Sequence, residues 1–164
     1  MALEFLEKES IVLINLFKEK GIDYAMHEHP PVYTSEEASR VRNVELKTGV
    51  KAMLVRNKRA EDGYLLVDVA ADRRIDFTKL ETLANVKHFR FATRDEVLSR
   101  TNCEPGSVHP IGQLFGVPTF LDISVFENEF VNFNIGMLTK SVQIRSRDLL
   151  KVMELELLGD FSKQ

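Results

Sequence analysis

The sequence predicts a mixed α/β domain, built as a curled, mostly antiparallel mixed sheet surrounded by short helices. Three observations point there. Short β-branched runs and short helical segments alternate irregularly, without the steady strand-helix rhythm of a doubly wound parallel sheet. Thr-x-x-Glu signatures at Thr34, Thr78 and Thr93 each open a short helix. A length of 164 residues with 44% hydrophobic content suits one core, so residues 1–164 read as a single domain.

The elements follow in order. Leu6, Leu13, Leu16 and Phe17 recur at helical spacing among Glu and Lys, with Gly21 as the C-terminal stop, which predicts an amphipathic first helix. Ile22 to Glu28 reads as a strand ended by His29-Pro30-Pro31, since neither proline can donate to a ladder. Thr34 and Glu37 form a capping box for a helix carrying Ala38 and Val41. Val50 to Arg56 and Tyr64 to Ala70, joined by a polar turn, predict a hairpin. Helices start at Thr78 and Thr93, and further strands fall at Phe89–Phe91, Thr119–Asp122, Phe130–Asn134 and Ser141–Ile144. Ser146-Arg147-Asp148 opens a last helix through Met153.

Composition narrows the function classes. A net charge of -3 provides no global basic field, so a polyanionic partner must meet a local patch, which argues against a general nucleic-acid coat protein. The lone Cys103 excludes an internal disulfide. The charged start Met1 to Glu9 is unlike a signal peptide, and no apolar run approaches the roughly 18 residues of a membrane span. A cytoplasmic protein without membrane partner is the expectation.

Several residues carry candidate chemistry. The period of two places Lys51 on one strand face with Met53 and Val55, so its ammonium either snorkels to water or presents a fixed charge to a pocket. The small residues of Gly106-Ser107-Val108-His109-Pro110-Ile111-Gly112 allow close backbone approach to a ligand, or make a plain connector. No lysine and hydroxyl residue follow its last glycine, so it is not a Walker loop. His27 and His29 with His109 or Cys103 lack any recognised metal-ligand spacing, and no metal or other cofactor is expected. Cys103, beside Glu104, has no evident activating group. Asp68, Asp72 and Asp76 near Arg73 and Arg74 read as an exposed, salt-bridged turn. Tyr33 packs over a ligand or closes the core.

Taken in order, His29-Pro30-Pro31-Val32-Tyr33-Thr34-Ser35-Glu36-Glu37-Ala38, Val50-Lys51-Ala52-Met53-Leu54-Val55, the Gly106 to Gly112 segment and Leu121-Asp122 resemble the YbaK/ProX-type aminoacyl-tRNA deacylases. These are relatives of the editing domain inserted in bacterial prolyl-tRNA synthetases. The resemblance spans nearly the whole chain and implies a YbaK/ProX-like fold. It also implies hydrolysis, in trans, of the ester joining a wrong amino acid to a tRNA. Lys51 matches the family's pocket lysine, which orients the terminal nucleotide. Gly106 and Pro110 match the ends of a Gly-x-x-x-Pro loop whose backbone positions a water or the ribose hydroxyl and stabilises the oxyanion. His29, Tyr33 and Asp122 align with pocket walls, and Ser107, Val108 and His109 with the loop that meets substrate. The implied partners are the acceptor end of an aminoacyl-tRNA and a synthetase that delivers it, not DNA; Lys47, Lys51, Arg56, Lys58 and Arg59 read either as phosphate contacts or as a solvated face.

The sequence departs from its relatives at Ala52, where many carry Asn or Thr, and at His109, where a small or hydroxyl residue is commoner and an imidazole would be an acid or base near neutral pH. These departures keep a second class in play, an amino-acid or nucleotide binding module on the same fold.

Overall fold

A computed structural model describes residues 7–164. Helix α1 (Lys8–Glu19) buries Leu13, Ile14 and Phe17, and the chain leaves it through Gly21 at φ +67°. Leu6, counted in that helix from the sequence, lies outside the described residues. There follow β1 (Ala25–Glu28), α2 (Ser35–Arg42), β2 (Val50–Asn57), β3 (Tyr64–Ala70), β4 (Arg74–Ile75), α3 (Phe77–Ala84), β5 (Phe89–Phe91) and α4 (Arg94–Thr101). The chain ends with β6 (Thr119–Asp122), β7 (Phe130–Asn134), β8 (Lys140–Arg145), α5 (Leu149–Val152), β9 (Leu155–Gly159) and β10 (Ser162–Lys163).

The strands form a five-stranded sheet in the order β5-β2-β3-β6-β9, a three-stranded sheet β1-β8-β7 and the pair β10-β4. Only β3 with β6 and β6 with β9 run parallel, so the mixed, mostly antiparallel α/β architecture expected from sequence is observed. The predicted hairpin pairs Lys51 with Val69 and Leu54 with Leu66. Three apolar clusters hold the layers together. Phe17, Phe133, Val142 and Ile144 pack α1 onto the three-stranded sheet. Val55, Val67, Leu80 and Phe161 pack α3 and the C-terminal segment under the large sheet. Leu54, Leu66, Val97 and Val108 join α4 to its other face. Each fully buried side chain of this size contributes roughly 1.5–3 kcal/mol.

The caps differ in detail from the sequence pattern. Thr93 and Glu96 form the complete capping box. Thr34 accepts from the Glu37 N–H, but the Glu37 carboxylate takes the N–H of Tyr33 rather than that of Thr34. Helix α3 starts earlier than predicted, because Asp76 and not Thr78 caps it, accepting from the Lys79 N–H at 3.2 Å. Glu81 is thereby freed to accept from the N–H groups of His88 and Phe89. The predicted last helix is a 3-10 turn at Ser146–Asp148 followed by the short α5.

The exposed salt-bridged turn expected around Asp68 is not found. Arg73 donates to Ser162 Oγ and Arg74 to the Gln164 carbonyl. Asp68 lies in β3 opposite Ala52 and Leu121, fully buried, and neither carboxylate oxygen has a hydrogen-bond partner. Burial therefore raises its pKa well above the usual carboxylate value. A carboxyl that protonates more readily folded than unfolded adds stability below its unfolded pKa of about 3.9 and loses it as pH rises through the folded value. Asp68→Asn, which copies the protonated acid, should gain stability relative to wild type as pH rises above the unfolded carboxylate pKa of about 3.9. Urea midpoints whose difference does not change with pH would show that Asp68 does not titrate as its burial requires.

Candidate active site

β5 covers the far edge of β2 only at Val55–Asn57. Just before β2 begins, Gly49 forms an isolated parallel bridge with Asn132 of β7, and no ladder pairs β2 itself with β7. The Leu54 carbonyl accepts from Ala92 on this edge, so strand alternation turns the main-chain N–H and C=O of Ala52 toward the gap. The segment Pro105–Val108, Tyr33 and α2 close the gap into a cavity of about 260 Å3. Ser35, Ala38, Ser39 and Arg42 all line it, and their spacing is one helical stripe of α2.

Lys51 lines this cavity with Met53, on the face the strand period predicts. Half-burial lowers its pKa, partly offset by the charges of Glu36 and Asp72. Its amine is partly withdrawn from water, an environment in which a charge acts more strongly on a ligand than it would on the open surface.

The loop opposite is held by its carbonyls. Gly106 adopts φ +89°, and its carbonyl accepts from Asn134 Nδ2 at 2.8 Å. The Ser107 carbonyl accepts from the Gly136 N–H at 2.8 Å, while Ser107 Oγ donates to the Glu104 carbonyl. Among the described residues the N–H groups of Gly106 and Val108 find no acceptor, and both residues line the cavity. The loop thus has its carbonyls anchored by Asn134 and Gly136, while two of its N–H groups stay free of protein acceptors.

Behind it lies a network that the sequence did not reveal. Arg42 donates through Nε to Ser141 Oγ at 2.9 Å and through Nη2 to Asn134 Oδ1 at 3.0 Å. His29 sits outside the cavity lining and completes this network, with Nδ1 donating to the Pro30 carbonyl and Nε2 2.7 Å from Ser141 Oγ. Desolvation and then the nearby Arg42 lower the His29 pKa, and Ser141 Oγ donates its own proton to Asn134 Oδ1 at 2.9 Å. A signal for Arg42 did exist, since it lies four residues beyond buried Ala38 and so puts a charge on the inward stripe of α2.

The remaining candidates are placed elsewhere. Tyr33 stands at the mouth, 67% exposed. Pro110 is buried beyond the loop and does not line the cavity. His109 is fully buried, stacked on Phe115 at 4.3 Å, with Nδ1 accepting from the Ile111 N–H. Burial draws its pKa down to about 3, so it is a neutral packing residue, not the acid or base near neutral pH that its residue type suggested. Asp122 also stays out of the cavity. Its carboxylate accepts from the N–H groups of Ser124 and Phe161 and from Ser162 Oγ, which fastens the C-terminal strand. Burial pushes the Cys103 thiol up to about 12, leaving it inert. No group of His, Cys, Asp or Glu among the described residues is arranged to hold a metal ion.

Two of the proposed phosphate contacts are already engaged. Arg56 pairs with Glu96, which also binds Arg90 and the Tyr64 hydroxyl, and Lys47 pairs with Glu45. No helix among the described residues is long and apolar enough to cross a membrane.

The cavity is thus a fissure in a mixed sheet, lined by a partly desolvated lysine and a short glycine loop. Residues 29–152 match the aminoacyl-tRNA editing domain, and the chain belongs to that family. It is 29% identical to the multifunctional Ser/Thr-tRNA deacylase ProXp-y of Escherichia coli strain K12 over 149 residues, 90% of this chain and 89% of that one. It is 30% identical to the prolyl-tRNA editing protein ProX of Acetoanaerobium sticklandii over 96 residues, 58% of each chain. A solved structure described as a candidate trans-editing enzyme for prolyl tRNA synthetase superposes with a TM-score of 0.81 at 22% identity, covering 97% of this chain and 99% of that one.

The left-handed conformation of Gly106 tests the loop. A Cβ there would meet nothing closer than the Tyr33 carbonyl at 3.5 Å, so the penalty of Gly106→Ala is conformational and not steric. The substitution should lower stability by about 1 kcal/mol and shift the amide resonances of residues 105–108, read by urea denaturation and NMR. Unchanged resonances would show that the loop does not need this geometry.

Proposed function

We propose that residues 1–164 form one editing domain that acts in trans as an aminoacyl-tRNA deacylase, removing a wrong amino acid from the acceptor end of a tRNA in the cytoplasm. The observation that carries this reading is that Lys51 and the Gly106–Val108 loop, 55 or more residues apart in sequence, face one cavity. Family membership and the resemblance to deacylases support it.

In the reaction, water adds to the ester carbonyl carbon and the carbon–oxygen bond to the ribose breaks. The ribose oxygen leaves as the hydroxyl and the amino acid as its carboxylate. An aminoacyl ester is already activated, so no nucleophilic side chain is required, and the inert Cys103 and neutral His109 are consistent with that. The unengaged N–H groups of Gly106 and Val108 suit an oxyanion that forms only in the transition state. Lys51 holds the terminal nucleotide, and exposed Tyr33 offers a face on which a base stacks. Pro110 acts by ending the loop, while His29 acts through Ser141 and Arg42. A synthetase that hands over the mischarged tRNA is the partner this reading calls for.

A panel of mischarged tRNAs provides the test. Lys51→Ala should slow hydrolysis of the preferred substrate by about 100-fold or more while leaving the melting temperature nearly unchanged, because Lys51 is half-buried at a cavity rim. Saturable ligand binding with no hydrolysis of any mischarged tRNA would instead establish a binding module. A comparable loss of stability in Lys51→Ala would assign Lys51 to folding.

A further inference from the structure

Arg42 is a second cation lining the cavity, and among the described residues no carboxylate pairs with it. Desolvation alone lowers its pKa, to about 10, with no offsetting acidic charge, so it remains a cation at neutral pH. Nε and Nη2 are taken up by Ser141 and Asn134, both neutral. Nη1 makes no protein hydrogen bond among the described residues, and it points over Gly49, whose added Cβ would lie 4.0 Å from it. Gly49 and Arg42 both line the cavity. A guanidinium that is largely desolvated but keeps one open edge toward a cavity is suited to take an anion there, at less cost than a fully hydrated one.

We propose that Arg42 is an anion-binding residue of this cavity, whose free Nη1 edge takes a phosphate oxygen of the nucleotide bound there. The inference rests on the deacylase reading for the identity of that nucleotide. In an aminoacyl-tRNA the carboxylate of the amino acid is esterified and uncharged, so the anions left to recognise are the phosphates of the acceptor strand. Arg42 also reports that contact to the loop. Its Nη2 holds Asn134 Oδ1, and Asn134 Nδ2 holds the Gly106 carbonyl, so the phosphate subsite and the Gly106 donor loop share one rigid chain of hydrogen bonds. Gly49 belongs to the same device, because a side chain there would collide with Ala71 Cβ at 2.9 Å and crowd the approach to Nη1.

The test uses AMP, adenosine and inorganic phosphate as probes of the intact protein, by calorimetry and by the Arg42 Nε–H resonance. AMP should bind about tenfold or more tightly than adenosine, as expected for one charge-assisted hydrogen bond, and phosphate should compete with it. The preference should fall to near parity in Arg42→Gln and return in part in Arg42→Lys, which keeps the charge without the fork. The Arg42 resonance of wild type, which needs no variant to fold, should move with AMP and not with adenosine. Equal affinities, no AMP binding at millimolar concentration, a preference that survives Arg42→Gln or a resonance indifferent to AMP would each overturn the proposal. None of these readouts involves ester hydrolysis. A protein that reads AMP through Arg42 yet deacylates nothing refutes the deacylase reading alone.

Discussion

The hydrogen bond from Asn134 Nδ2 to the Gly106 carbonyl is the contact on which the cavity depends. Gly49, just before β2, bridges Asn132 of β7 and no ladder continues from it, and a fissure between two sheets would ordinarily fill with side chains or close. Here it is propped open by a loop whose carbonyls are tied to the end of β7 and the turn after it. Asn134 can serve because it is buried and both ends of its amide are engaged, the oxygen by Arg42 and the nitrogen by the loop. A buried polar network satisfied at this level rigidifies its surroundings, whereas the same groups left unpaired would each cost about 1–3 kcal/mol.

The distribution of charge separates structural from available cations. Around α4, Arg56 and Arg90 converge on Glu96, whose pKa is held far below the usual carboxylate range, foremost by Arg90. Both guanidiniums are held by that one carboxylate, so part of their hydrogen-bonding capacity is already spent. Lys51 and Arg42 are the reverse case, desolvated and without a direct carboxylate partner. An acidic chain can therefore meet a polyanion, since two poorly solvated cations in a cavity act over a few ångströms more strongly than several exposed ones screened by salt.

What the sequence made legible was local. The hairpin, the strands at Phe89, Thr119 and Phe130 and the capping box at Thr93 all rest on patterns a few residues long, and they stand where the patterns put them. Lys51 and Gly106 were legible because each sits in a short ordered motif. Arg42, Asn134 and Ser141 were not, because they cooperate across 92 and 99 residues and only the fold brings them together. β4 and β10 escaped for the same reason, being two residues each and defined by pairing with one another. Asp68 misled in the opposite direction. Its acidic and basic neighbours suggested a turn, while the strand period of Tyr64–Ala70 already placed it opposite Ala52 in the interior. His109 misled by residue type, since an imidazole carries its familiar chemistry only where water or a partner can stabilise the cation, and this one is enclosed by Phe115 and the loop.

The absence of a polar side chain at Ala52 acquires a different meaning in this frame. A side chain in a strand points above or below the sheet, whereas the fissure opens along the edge of β2, where the main chain faces. Ala52 turns its own N–H and C=O into that fissure, opposite a loop that also presents main-chain donors. Along that strand edge the cavity wall is main chain, with Lys51 and Arg42 among the charged groups that line the rest. Such a surface needs no reorganisation when charge develops on a substrate oxygen, which is the condition under which electrostatic stabilisation of a transition state is largest. A small residue at position 52 then serves the site by leaving room for the ligand to reach the strand edge.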